Sequence, residues 1–84
     1  MPVTITMAGV SEYDQAMLRL KRQLTADKND NLATIVLGKE GNVIVARVQV
    51  SKSKFQFAMG LRQLQDGFFG TYDFLVQKIK AVAT

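Results

Sequence analysis

The sequence predicts a two-layer α+β fold of order β-α-β-β-α-α, in which a three-stranded sheet containing a hairpin carries its helices on one face. Three observations support this. Residues 31–50, NLATIVLGKEGNVIVARVQV, set two runs rich in Ile and Val around a Gly-containing break, the local signature of a β-hairpin. Residues 3–7 alternate apolar and polar side chains with a period of two. Apolar residues recur at helical spacing in the stretches before and after the hairpin.

In chain order, residues 2–8 read as a strand with Val3, Ile5 and Met7 on one side and Thr4 and Thr6 on the other. Ser11 with Glu12 and Asp14 forms an N-cap pattern, the two acids complementing the helix dipole in the first turn. The helix that follows carries Tyr13, Ala16, Met17, Leu20 and Leu24 as one stripe and ends in the polar loop 27–31; Leu18 falls on its outer side. For the hairpin, a two-residue loop at Glu40 and Gly41 and a four-residue loop over 39–42 both place Gly38 opposite Val43. Either way Ala33, Ile35 and Leu37 share a face with Ile44, Ala46, Val48 and Val50. Thr34, Arg47 and Gln49 lie on the other face with Leu32, Val36, Val43 and Val45.

Beyond the hairpin, Ser53 with Gln56 reads as a capping box for a helix over 54–65, with Gly67 as its stop. Its apolar residues occupy two faces: Phe57, Ala58, Leu61 and Leu64 on one, Phe55 and Met59 elsewhere. Residues 68–70 read as a hydrophobic link that plugs the end of the core. Thr71 caps a last helix over 72–82, where Tyr72, Leu75, Val76, Ile79 and Val82 face inward and Phe74 projects outward beside Lys78. A parallel partner for the first strand would be reached through a right-handed crossover.

With 84 residues the chain is read as a single domain, 1–84, whose one small core leaves only a few kcal/mol of net stability. It has neither cysteine nor histidine, which removes disulfides, thiolate chemistry, zinc sites of the usual ligands and the ordinary neutral-pH base. No cofactor motif or metal-ligand cluster is expected. No run approaches the roughly 20 apolar residues of a membrane span and the first ten residues lack signal-peptide character, so a cytoplasmic protein is expected. The acids sit in turns and in the first turn of a helix, where each has a structural reason to be, so an enzyme is not expected. The Gly38 to Gly41 stretch lacks the strand-to-helix context of a phosphate loop and is read as a turn.

The net charge is +4, and all of the excess falls between Gly41 and Gln65, where Arg47, Lys52, Lys54 and Arg62 meet no acidic residue. Lysines at the start of a helix oppose its dipole. Ser51, Lys52, Ser53 and Lys54 therefore suggest an anion site at a helix N-terminus, extended across the sheet by Arg47 and Gln49. The competing explanation is that the lysines keep a strand edge soluble and the serines only cap.

Residues 45–83 resemble a ribbon-helix-helix DNA-binding unit: a strand with alternating Arg47 and Gln49, a serine-capped helix, a Gly-containing loop and a second helix. That resemblance implies pairing of the strand with its twin in a dimer, whereas here the strand already has a hairpin partner in its own chain. The order β-α-β-β-α also resembles the opening of an RNA-recognition fold, although a third helix follows and the strand Val-Ala-Arg-Val-Gln-Val lacks aromatics that stack bases. Leu18, Phe55, Met59 and Phe74 are surplus to the inward stripes of one small core and are candidates for a protein interface or a symmetric dimer.

Two functions compete on this reading. One is a non-catalytic module, homodimeric, that contacts DNA or RNA through Arg47, Gln49, Ser51, Lys52, Ser53, Lys54 and Arg62. The other is a protein-binding adaptor or inhibitor of the size of many phage-type effectors, docking through its exposed apolar residues.

Overall fold

A computed structural model of the chain describes residues 3–83, so Pro2, assigned above to the first strand, lies outside the described residues. The elements are β1 (Val3–Ile5), α1 (Ser11–Ala26), a 3-10 turn at Asn29–Asn31, β2 (Thr34–Glu40), β3 (Val43–Val50), β4 (Ser53–Gly60), α2 (Leu61–Asp66) and α3 (Phe68–Ala83). The class is α+β, with the sheet four-stranded in the order β1-β2-β3-β4. The α1 crossover sets β1 parallel to β2, and the other two pairings are antiparallel.

The fourth strand is the main departure from expectation. Residues 53–60 extend the hairpin into a three-stranded meander, and helix begins only at Leu61. Phe55, Phe57 and Met59 point to the core layer while Lys54, Gln56 and Ala58 face away, a period of two that competes with the capping pattern of Ser53 and Gln56. In a helix the same residues would be apolar on two sides. In a strand they segregate cleanly, and the aromatic β-propensity of Phe55 and Phe57 acts in the same direction. The short α2 then starts with Gln63 Oε1 accepting from the Gly60 N–H at 2.7 Å, and it stops at Gly67 as expected.

The hairpin register differs by two residues from expectation. Glu40 pairs with Val43 around a two-residue turn, and Gly38 faces Val45 rather than Val43. Gly41 takes φ 61 at the first turn position, where a side chain would be strained. Because the shift is an even number, the assignment of residues to faces is unchanged.

Ile35, Leu37, Ile44, Ala46, Val48 and Met59 line the inner face of the sheet, with Val3 beside them. Helix α1 packs over β1 and β2 and buries Ala16, Met17, Leu20 and Leu24; α3 packs over β3 and β4 and buries Phe68, Tyr72, Leu75 and Ile79. Ser11 is the first residue of α1 rather than its cap. Asp14 secures the entry by accepting from the Ala8 N–H at 2.8 Å. Phe68 and Phe69 belong to α3, which starts before Thr71; the Thr71 hydroxyl donates to the Gln63 carbonyl at 3.3 Å and ties α3 to α2.

The two helices meet in a polar cluster. Tyr72 donates to Asp27 Oδ2 at 2.6 Å, with the Gln23 carbonyl at 3.1 Å as a second acceptor, and the buried Asn29 amide donates to the Tyr72 oxygen at 2.9 Å. Burial, then the bond to Asp27, pushes the Tyr72 hydroxyl well above the ordinary phenol range. Hydrogen bonds from Tyr72 first and Gln23 second hold the Asp27 carboxyl below its usual value.

Candidate functional site

Since the helices occupy one face of the sheet, the other face is open. Strand pairing sets its residues in columns: Thr34, Gln49 and Lys54 in one, Val36, Arg47 and Gln56 in the next, then Gly38, Val45 and Ala58, and finally Glu40, Val43 and Gly60. One end of the face is therefore rich in hydrogen-bond donors and the other apolar apart from Glu40. A shallow depression at the donor-rich end is lined by Thr34, Val36, Arg47, Gln49, Lys54 and Gln56.

Arg47 and Gln49, expected on this face, are exposed here beside Lys54. Gln56 joins them and was missed, because reading 54–65 as a helix removed the strand that places it next to Arg47; Thr34, expected on this face with Arg47 and Gln49, completes the column of Gln49 and Lys54. Ser51 and Lys52 form the exposed two-residue turn between β3 and β4, and Ser53 opens β4. No helix starts at Ser53, so the anion site at a helix N-terminus does not exist in that form. Ser51 adopts φ 55 at the first turn position, and its carbonyl accepts from the Gln49 amide at 3.4 Å.

The four cations of segment 41–65 are not gathered into one cluster. Arg47 pairs with Glu40 at 2.5 Å, an acid just outside the segment that the hairpin brings onto the same face. Arg62 lies on α2, beyond the Gly60 end of β4, and Lys54 lies near its start. The strand between them spans about 20 Å. Among the described residues Lys52, Lys54 and Arg62 have no carboxylate partner.

The apolar candidates also separate. Met59, expected at the surface, is 1% exposed in the core, because the strand period turns it inward. Phe55 is half-buried against the core at the sheet edge, and Lys78 Nζ lies 5.9 Å from its ring centre. Leu18 is half-buried in a groove between α1 and α2 that Arg19, Arg22 and Gln65 also line. Phe74 is 64% exposed on α3, and Phe69, near its start, is 60% exposed. Phe68, by contrast, is buried, stacks on Tyr72 and lies 4.0 Å beneath the Arg19 guanidinium.

Among the described residues no group of three acidic side chains converges as metal ligands, and no helix is long and apolar enough to cross a membrane. Comparison with protein-family models, with curated proteins and with solved structures finds no match to this chain.

Proposed function

We propose that the chain is a non-catalytic binding module that receives a polyanion, a DNA or RNA strand, on the donor-rich end of its open sheet face. The observation that carries this reading is the juxtaposition of Thr34, Arg47, Gln49, Lys54 and Gln56 in adjacent columns, which no helix covers among the described residues. Lys52 and the hydroxyls of Ser51 and Ser53 extend it at the adjoining turn. Unpaired lysines supply attraction and counterion release, while Gln49, Gln56 and Thr34 supply directional hydrogen bonds to phosphate or base edges. Arg62 stands too far along the molecule to share this contact and would meet only a ligand that crosses the sheet.

The test is fluorescence anisotropy with labelled single-stranded and duplex oligonucleotides across a salt series. Affinity should fall steeply with salt, and replacing Lys52 and Lys54 together by Glu should abolish binding while circular dichroism stays unchanged. Affinity that ignores salt would overturn the proposal. A second reading rests on Phe69 and Phe74: two exposed aromatics on one helix suit docking on a larger protein, as an adaptor or inhibitor does. On that reading Phe74→Glu would break a complex that the lysine substitutions leave intact.

A further inference from the structure

We infer that the outer edge of β4 is an interface with a second copy of this chain, joined strand to strand in antiparallel register about Gln56. The sheet has two edges, and they are not alike. β1 has 3 residues and offers little backbone, whereas β4 has 8, pairs continuously with β3 on one side and, among the described residues, has no strand on the other. It contains neither proline nor bulge, the usual devices that blunt a long edge, and its one charge is Lys54.

The register shows which groups are unpaired. Two-residue turns make Glu40 with Val43, and Val50 with Ser53, hydrogen-bonded pairs, so pairs alternate from there. Ser53, Phe55, Phe57 and Met59 bond to β3, and the backbone groups of Lys54, Gln56 and Ala58 point outward. The Gly60 N–H agrees with this phase, since it is taken by Gln63 rather than by β3.

These outward groups suit a second copy because the stretch Phe55-Gln56-Phe57 is a palindrome. A two-fold axis at Gln56 pairs Gln56 with itself and Lys54 with Ala58 of the other copy, so every outward N–H finds a carbonyl and no lysine faces a lysine. On the helix side the same register sets Phe55 against Phe57 of the other copy, and both rings are only half-buried in the single chain. Lys78, which reaches Phe55, lies one helical turn from the exposed Phe74, placing that ring on the same flank of α3. On the open side, the two donor-rich ends become neighbours across the axis. This proposal supplies the contact for the homodimer expected from sequence, and it stands whether or not the open face binds a polyanion.

Sedimentation equilibrium on the intact chain over a wide concentration range, without nucleic acid, tests it. A dimer is expected. Gln56→Lys should weaken it about fivefold or more by facing like charges across the axis. Gln56→Pro removes the same outward N–H from both copies without touching the β3 ladder and should weaken it by about thirtyfold. Circular dichroism checks that each variant is folded. Because the chain has no cysteine, Gln56→Cys carries a single thiol, which a short bismaleimide should link to its mate in high yield. A monomer at every concentration, or a dimer indifferent to both Gln56→Lys and the cross-linker, would overturn the proposal. Failure of polyanion binding would leave these readouts unchanged.

Discussion

Tyr72 shows how one hydroxyl can hold three elements. It accepts from the buried Asn29 amide and donates to Asp27, so α3 is fastened to the end of α1 and to the 3-10 turn after it. Tyr72→Phe leaves the Asn29 donor buried without a partner and should cost about 1–3 kcal/mol in urea unfolding. The same bond sets a pH dependence. Asp27 holds its proton less tightly when folded than when unfolded, so its contribution is complete above the ordinary aspartate value of 3.8 and is lost as pH falls through the lower folded value. Stability measured from neutral pH downward should therefore drop more steeply in the parent chain than in Tyr72→Phe. Ser51 presents the opposite case, a residue held at φ 55 where glycine is at ease. Ser51→Gly should leave stability unchanged or raise it by up to about 1 kcal/mol, read as a shift in the urea midpoint.

At the scale of elements, most of the fold was legible, and the exception has a physical cause. The stripe Tyr13, Ala16, Met17, Leu20, Leu24 defines α1 without ambiguity, because helical spacing persists over more than three turns. The hairpin faces were legible for a similar reason, since any even register shift preserves them. Residues 53–60 carried two signals at once. Ser53 and Gln56 satisfy a local capping pattern, whereas Phe55, Phe57 and Met59 satisfy a period of two whose benefit appears only when β3 is alongside. The long-range pairing wins, as it buries Met59 and closes the inner face of the sheet. Losing that strand also hid Gln56, which reaches Arg47 only across the β3–β4 pair. Met59→Ala should therefore cost about 2–5 kcal/mol as a core truncation, and the neighbouring Ala58→Ser less than about 0.5 kcal/mol. A helix over the same residues would not separate those two positions so sharply in a denaturant series.

At the scale of the whole molecule, charge and fold act against each other on the open face. The sequence concentrates uncompensated cations between Gly41 and Gln65, yet the hairpin returns Glu40 to Arg47 and cancels one of them. Both side chains are 49% exposed, and a pair so well solvated contributes at most about 1 kcal/mol to stability. Its effect on a bound polyanion is larger in kind, because Glu40 repels phosphate and holds the guanidinium that would otherwise reach it. Glu40→Gln keeps the size of the side chain and removes the charge. Stability should change by less than about 1 kcal/mol. Affinity for an oligonucleotide should rise, and the dependence of log affinity on log salt should steepen by about 0.7–0.9, the increment for one more phosphate contact. Reversing the test, Arg47→Gln in the parent chain should lower affinity less than Lys54→Gln does, since Arg47 already spends its charge within the protein. Equal losses from the two substitutions, measured at one salt concentration, would mean that the Glu40 pair opens when the polyanion binds.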